Sequence, residues 1–279
     1  MSTPSRAPAA TGVRKVEDDL GAAVEVPSHP TRIVSLVPNL SEALWWWHLE
    51  DRVVGVTDWC VAPPGAFARA QRVRGTKNPD VAAIVDLEPD VVVANEEENR
   101  ELDVTRLRDA GVEVYVTRVR TVADAAESLA RLAAALGEVR AGIGLRQTIV
   151  RALDQARPPS DSLATVCPVW REPWMVTGRA TFAGDLLAHC GFEVVPGDPD
   201  ARYPTMALDD AAALGAEVVL LPDEPYPFGD ADRADFADWP ARVRLIDGTA
   251  LSWWGPRTPH AIGDLTRLAR SLRSRRRRR

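Results

Sequence analysis

Short apolar runs alternate with stretches of helical spacing along most of the chain. In the first half, the runs at 32–36, 53–56, 91–94 and 112–116 are rich in Val and Ile, and amphipathic segments separate them. Continuous apolar runs of this length are typical of parallel strands covered on both faces. The pattern therefore predicts an α/β lobe built around a mainly parallel sheet.

The second half repeats this scheme, with predicted strands at 163–169, 192–195, 217–221 and 243–246. Between the halves, one helical run reaches from about Thr121 to Arg157. Three glycines (Gly137, Gly142 and Gly144) predict a break or kink near its middle, and Pro158 and Pro159 end it. We predict two Rossmann-like lobes with mainly parallel sheets, joined by a long connecting α-helix, with a cleft between the lobes.

These patterns also set the predicted domain limits. They are a disordered N-terminal segment (1–15), an N-terminal α/β lobe (16–137), a connecting helix (138–158), a C-terminal α/β lobe (159–272) and an Arg-rich tail (273–279).

Composition and charge narrow the class of protein. The 279 residues are 46% hydrophobic and carry a net charge of −6, although the tail adds six arginines. Because the remainder is therefore more acidic still, no nucleic acid is expected as a partner. The first residues lack an apolar signal core and a lipoprotein cysteine, so the chain as written is expected in the cytoplasm. A processed chain with a new Met1 is the alternative.

Aromatic residues are concentrated in the loops that follow the predicted strands. In open α/β sheets, ligands bind outside the carboxyl ends of the strands. Flat aromatic walls suit a large planar or cyclic ligand, and the alternative is that some rings fill the lobe interface. The predicted wall residues in these loops are Trp59, Trp170, Trp174, Tyr226, Trp253 and Trp254.

Polar residues of the same loops are candidates for directional contacts. Arg171, like Arg257, would bind ligand carboxylate or phosphate groups, unless it forms a surface ion pair. Glu224 lies in a loop where prolines restrict the backbone, which lowers the ordering cost of binding. Cys60 follows Trp59 and is a weaker candidate. The predicted polar contacts are Asn39, Asn78, Asn99, Arg171 and Glu224.

Catalytic and metal-binding patterns are weak in comparison. None of the four histidines pairs with another at helical spacing, and no C-x-x-C motif occurs, so we predict no metal site and no intrinsic cofactor. The run Glu96-Glu97-Glu98 is interpreted first as a solvated acidic loop. Nucleotide-binding and nucleophile-elbow motifs are missing, so the enzyme class lacks positive support.

Several segments together resemble the class III, helical-backbone substrate-binding proteins of ABC importers, which are receptors for cobalamin, haem and ferric siderophores. The opening segments Val16-Glu17-Asp18-Asp19-Leu20-Gly21 and Pro30-Thr31-Arg32-Ile33-Val34-Ser35-Leu36-Val37-Pro38 carry the resemblance, together with Leu87-Glu88-Pro89-Asp90-Val91-Val92 and the segment from Thr177-Gly178 to Leu187. It spans roughly residues 16–272. The loops around Trp170, Glu224-Pro225-Tyr226-Pro227-Phe228 and Trp253-Trp254-Gly255 are most similar to the cobalamin-binding branch.

The resemblance implies a monomeric binding protein without catalytic activity. Tyr203-Pro204 aligns with an aromatic-Pro pair of the cobalamin binders, so Tyr203 joins the predicted wall. Members are usually periplasmic or lipid-anchored and dock on a permease through one acidic residue per lobe. This chain has Ala82 at the first such position and Asp209 at the second.

The predicted function is binding of a corrinoid such as cobalamin, with haem or a ferric siderophore as the next choices. The alternative is a cytoplasmic enzyme or processing factor that acts on such a cofactor through Glu97 or Glu224. A third hypothesis makes the Arg tail the interacting segment of a regulatory protein.

Overall fold

The structure is a computed structural model that describes residues 12–156 and 161–274. These residues form two compact units. The first comprises the described part of Met1–Arg118 together with Glu127–Arg146, and the second comprises Val119–Ala126 and the described part of Gln147–Arg279. Pro158 and Pro159, the arginines 275–279 of the tail and residues 1–11 of the predicted disordered segment lie outside the described residues.

The first unit and the helical run after it contain these elements in chain order: β1 (Val13–Glu17), β2 (Ala23–Pro27), β3 (Ile33–Ser35), α1 (Pro38–Trp46), a 3-10 helix (Glu50–Arg52), β4 (Val53–Val56), β5 (Gln71–Arg72), β6 (Arg74–Gly75), β7 (Asn78–Pro79), α2 (Val81–Asp86), β8 (Val91–Asn95), α3 (Glu101–Asp109), β9 (Val114–Thr117), α4 (Val122–Ala135) and α5 (Val139–Ala156).

A five-stranded parallel sheet with the order β5-β4-β3-β8-β9 forms the centre of the first unit. Ile33 of β3 pairs with Val53 of β4 on one side and with Val91 of β8 on the other. Every residue of β3, β8 and β9 is buried. The prediction of a parallel sheet covered on both faces is confirmed for this unit.

The hairpin of β1 and β2 was not predicted, and it differs from the proposed disorder of residues 1–15, because Val13–Glu17 pairs antiparallel with Ala23–Pro27. Distant contacts fix it in place. The Arg14 guanidinium donates hydrogen bonds to the carbonyl oxygens of Ala134 and Ala135 at the end of α4. The turn residue Asp18 forms a 3.0 Å ion pair with Arg108. These hydrogen bonds and this ion pair therefore hold in place a segment whose composition alone predicts disorder.

The long helical run divides at Gly137, which has a φ of +89°. A Cβ atom at this position would lie 2.6 Å from the carbonyl oxygen of Ser28, so both the conformation and the packing favour glycine. The predicted break is confirmed, and it separates α4 from α5. The division between the two units crosses both helices, between Ala126 and Glu127 in α4 and between Arg146 and Gln147 in α5.

The second unit contains β10 (Leu163–Val166), β11 (Pro168–Trp170), β12 (Met175–Val176), α6 (Phe182–Cys190), β13 (Phe192–Val194), α7 (Leu208–Ala213), β14 (Val218–Pro222), a 3-10 helix (Asp230–Phe236), β15 (Arg242–Ile246), α8 (Thr249–Ser252) and α9 (Thr258–Ser274).

Its central sheet is again parallel, with the order β13-β10-β14-β15. The predicted strand at 163–169 is two strands, β10 and β11, because β11 leaves the sheet to form a short hairpin with β12. Thr181 caps α6 by accepting a hydrogen bond from the Gly184 amide, and Gly191 ends this helix with a φ of +93°. α9 includes Arg273 and Ser274, which were assigned to the tail. None of the helices described is both long and apolar enough to cross a membrane.

Candidate ligand-binding site

Strand order defines where each unit can bind a ligand. In the first unit the chain moves from β3 outward through β4 to β5, and then returns to place β8 on the other side of β3. In the second unit it moves from β10 to β13 and then returns to place β14 on the other side of β10. Such reversals open a crevice at the carboxyl ends of the strands. The loops at these two points carry most of the predicted site residues.

In the first unit, Asn99 uses its amide to hold loops together. Its Oδ1 accepts a hydrogen bond from the Asn95 amide at 2.9 Å. Its Nδ2 donates to the carbonyl oxygens of Thr76 at 2.9 Å and Leu36 at 3.4 Å. This differs from the predicted ligand contact, because both polar atoms are engaged within the protein and the side chain is buried. Asn99 therefore holds together the segments that border the crevice of the first unit.

The other predicted residues of this unit separate into buried and exposed groups. Asn39 is buried in α1, which also differs from a direct contact. Trp59 is 64% exposed, and Asn78 is exposed as well. A Cβ atom at Gly75 would lie 2.5 Å from Asn78 Oδ1 and 3.4 Å from Trp59 Nε1. The indole and the amide therefore meet beside Gly75, where both can reach a ligand.

Cys60 points into the protein instead of toward solvent. Ser41 donates a hydrogen bond to its Sγ at 2.9 Å, and the Thr57 hydroxyl lies 3.1 Å from the same atom. Burial raises the pKa of the Cys60 thiol. The thiol is therefore protonated at neutral pH, which gives it a structural role in the loop after β4.

The acidic run after β8 is held through its backbone. The amides of Glu97 and Glu98 donate hydrogen bonds to Asn95 Oδ1, and Lys77 Nζ donates to the Glu97 carbonyl oxygen at 2.5 Å. Glu96 and Glu98 are exposed. This geometry agrees with an acidic surface loop of fixed shape.

In the second unit, the rings of the two loops after β10 and β14 contact one another. Trp170 meets Tyr226 edge to face at 5.7 Å, Tyr226 lies 4.6 Å from Phe228, and Phe228 stacks on Trp174 at 5.9 Å with an angle of 8°. We call these four residues the aromatic cluster. Phe228 is buried, whereas Trp170 is 45% exposed. The cluster therefore combines the buried ring of Phe228 with the accessible ring of Trp170.

Tyr203 joins the same edge through its backbone. The Val176 amide donates to the Pro204 carbonyl oxygen, and the Met206 amide donates to the Trp174 carbonyl oxygen, both at 3.0 Å. An isolated antiparallel bridge therefore joins Thr205 to Met175 of β12, and Tyr203 lies in the bend just before it. The phenol ring is half-buried, with the Arg202 guanidinium 5.8 Å from its centre.

Arg171 is engaged within the protein, which differs from the predicted role as a ligand clamp. Its Nη1 lies 2.8 Å from Asp232 Oδ1 and 3.2 Å from Asp235 Oδ2. The guanidinium also lies 5.4 Å from the centre of the Trp174 ring. Two carboxylates balance its charge, so Arg171 fixes the β11–β12 hairpin on the 3-10 helix. The sequence gives no signal for this pairing, because Asp232 and Asp235 are about sixty residues away.

Glu224 lies beside Trp253 in the second unit. The Ser252 hydroxyl donates a hydrogen bond to Glu224 Oε1, and the Trp253 side chain lies close enough to the carboxyl to act on its pKa. Burial raises the pKa of the Glu224 carboxyl, and the charges of Asp223 and Asp247 raise it further. A Cβ atom at Gly248 would lie 2.5 Å from the Glu224 amide nitrogen. The carboxyl group is therefore held in a closely packed loop.

Neighbouring tryptophans in the loop before α9 have different environments. Trp253 is half-buried, and the Arg257 guanidinium lies over its ring at 4.5 Å. Arg257 also donates to the Thr249 hydroxyl at 2.5 Å. Trp254 is only 6% exposed. It lies in the interior of the second unit, which differs from the predicted wall position, because an indole buried to this degree offers almost no face to a ligand.

The geometry also describes the potential metal ligands and the two docking positions. Among the described residues, no group of three or more His, Cys, Asp or Glu side chains is placed to hold a metal ion. His260 lies 3.1 Å from Asp264 in an exposed pair. Ala82 is exposed on α2, and Asp209 is exposed in the first turn of α7. Docking on a permease therefore stays a prediction.

Comparison with known proteins identifies the family. The sequence profile described as "Periplasmic binding protein" matches residues 33–222, which is more than half of the chain. The chain belongs to the periplasmic binding protein family. The class III family predicted from the sequence is thereby confirmed, and the family consists of ligand-binding proteins, not enzymes.

Two relatives are named for the binding of cobalamin or vitamin B12. A cobalamin-binding protein of Halobacterium salinarum is 27% identical over 210 residues, which cover 73% of this chain and 57% of the relative, so the chain spans little more than half of that protein. The vitamin B12-binding protein of Vibrio cholerae is 19% identical over 255 residues. These residues cover 88% of this chain and 91% of the relative.

Solved structures extend the comparison. The periplasmic vitamin B12 binding protein BtuF of Vibrio cholerae superimposes with a TM-score of 0.76 at 20% identity, covering 88% of this chain and 98% of that chain. The periplasmic heme-binding protein RhuT from Roseiflexus sp. RS-1 gives a TM-score of 0.76 at 24% identity, with 86% and 98% covered. Similarity at this level of identity establishes the α/β fold with parallel sheets, as predicted, and leaves the ligand to be argued from the site.

Proposed function

We propose that this protein binds a corrinoid, with the aromatic cluster and Trp253 of the second unit as the main contact surface. The observation that carries the proposal is the aromatic cluster at the switch point of the parallel sheet. Its Trp170 ring is accessible and contacts Tyr226, which packs on the buried Phe228. A rigid, partly exposed ring system binds a broad macrocycle at a low cost in side-chain entropy.

The polar groups near the cluster suit a ligand with amide side chains. Glu224 offers a hydrogen-bond acceptor beside the Trp253 ring, and Arg171 has its charge balanced by two aspartates. Haem carries two carboxylates that need cationic partners, whereas a corrinoid presents mainly carboxamides around its ring. The local excess of acidic groups therefore favours the corrinoid over haem.

The names of two relatives support this choice. Those of Halobacterium salinarum and Vibrio cholerae are described as cobalamin-binding and vitamin B12-binding proteins. The alternative of an enzyme acting through Glu97 or Glu224 receives no comparable support. We also propose that an ABC permease receives the ligand, and that Asp209 of α7 is the docking residue of the second unit.

Isothermal titration of the full chain with cyanocobalamin, dicyanocobinamide and haemin tests the proposal. We expect saturable binding of both corrinoids and weaker binding of haemin. A Trp253→Ala variant should bind cyanocobalamin less tightly than the wild type. Saturable binding of haemin with no corrinoid binding would assign the protein to haem instead, and binding of none of the three would refute both choices.

A further inference from the structure

One polar group at the edge of the second unit is held more firmly than a surface carboxylate normally is. Glu224 accepts a hydrogen bond from Ser252, and its backbone packs against Gly248. The Gly248 amide in turn donates to Asp223 Oδ1 at 2.6 Å. Because these contacts fix the loop before any ligand binds, Glu224 is a preorganised acceptor next to an aromatic face.

The charged groups around it are mostly acidic. Asp223 precedes Glu224, and Asp247 lies close enough for its charge to act on the Glu224 carboxyl. Arg257 is the cation of this loop, and its guanidinium lies over the Trp253 ring and contacts Thr249. A ligand group that approaches Glu224 therefore meets negative potential.

We propose that Glu224 is a specificity-determining residue that selects ligands by the charge of their side chains, accepting carboxamides and rejecting carboxylates. This inference rests on the proposed corrinoid-binding function. A carboxamide N–H donates to the ionised carboxyl in a charge-assisted hydrogen bond, whereas a carboxylate of the ligand repels it. Partial burial strengthens both effects, because the surrounding protein screens charge less than water does.

A pair of probes with the same macrocycle separates charge from shape. Dicyanocobinamide and dicyanocobyrinic acid share the corrin ring, but the first carries amides where the second carries carboxylates. We expect the wild type to bind the amide probe more tightly. Glu224→Gln keeps the size of the side chain and an acceptor oxygen for Ser252. In this variant, the Kd of the carboxylate probe divided by the Kd of the amide probe should fall by about tenfold.

A matched control removes a carboxylate from the same edge without touching this arrangement. Glu172 is exposed in the turn of the β11–β12 hairpin, and its carboxylate lies 4.0 Å from Arg171. Glu172→Gln should leave the Kd ratio within about twofold of the wild type. Added salt should reduce the Kd ratio more in the wild type than in Glu224→Gln, because salt screens the charge of Glu224. A purely structural role of Glu224 would not produce this difference.

The outcomes separate this inference from the proposed function. A ratio that stays the same in Glu224→Gln, with tight binding of the amide probe retained, would overturn the specificity role and leave corrinoid binding standing. Failure of the wild type to bind either probe would refute the proposed function itself, and the specificity role with it. An equal fall of the ratio in Glu172→Gln would show a general charge effect and would also overturn the assignment to Glu224.

Discussion

The two units present different surfaces at the carboxyl ends of their sheets. In the first unit, the side chains of Asn39 and Asn99 are buried, and Asn99 links three loop segments by hydrogen bonds. In the second unit, aromatic rings form the edge, and Trp170 stays accessible while it contacts the half-buried Tyr226. Similar strand arrangements thus support loops that hydrogen bonds organise in one unit and ring packing organises in the other.

This difference teaches which substitutions should affect folding and which should affect binding. A buried polar clamp contributes mainly to stability, because its loss leaves partners without hydrogen bonds. A partly exposed ring contributes mainly to affinity, since it keeps a free face until a ligand covers it.

The largest effect is expected where a ring of the second unit is fully packed. Trp254→Ala should lower the free energy of unfolding by about 3–5 kcal/mol, because it leaves a large cavity in the interior. Urea denaturation measures this change. Trp46→Ala, at a site 51% exposed in the first unit, should change it by less than about 0.5 kcal/mol. Equal effects of the two substitutions would contradict the assignment of Trp254 to the interior.

Next in size is the loss of affinity at the neighbouring residue. Trp253→Ala should weaken cyanocobalamin binding by about 2 kcal/mol, or roughly thirtyfold, because the ring is half-buried and available to a ligand. Trp253→Phe should retain most of the affinity. Titration calorimetry gives both values, and an unchanged Kd for the alanine variant would remove Trp253 from the contact surface.

The amide clamp of the first unit should show the opposite behaviour. Asn99→Ala should lower the free energy of unfolding by about 1–3 kcal/mol, since the buried Asn95 amide and Thr76 carbonyl lose their partner. Asn78→Ala is the control at an exposed position and should cost little. If Asn99→Ala unfolded at the same urea concentration as the wild type, the clamp would have no energetic role.

The smallest effect concerns pH. The pKa of Glu224 lies above its usual range because of burial and the charges of Asp223 and Asp247. Dicyanocobinamide binding that uses the ionised carboxyl should therefore weaken as pH falls, beginning above the ordinary glutamate pKa of about 4.3. We expect a severalfold change in Kd in the wild type and a flatter profile in Glu224→Gln. Parallel profiles would exclude Glu224 as the titrating group.

The sequence predicted the regular parts of the fold because local signals determine them. The predicted break at Gly137, for example, depends on a residue of the helical run itself. Valine-rich runs identified the parallel strands for the same reason. The β1–β2 hairpin escaped prediction because partners of its turn, such as Arg108 and Arg131, are about a hundred residues away.

The candidate site was less predictable, since neighbouring residues of the same type lie in different environments. Trp253 and Trp254 are equivalent in sequence, but only Trp253 keeps an accessible face. Arg171 was expected to meet a ligand, and two distant aspartates hold it instead. The sequence indicated which residues lie in these loops. The direction of each side chain, however, depends on tertiary contacts that no local pattern predicts.

The most direct test of corrinoid binding by the aromatic edge is one titration of cyanocobalamin into three purified chains. These are the wild type, Trp170→Ala and the control Trp46→Ala. We predict saturable binding to the wild type and to Trp46→Ala with similar Kd values, and at least tenfold weaker binding to Trp170→Ala. Equal binding to all three chains, or no binding to the wild type, would contradict the account.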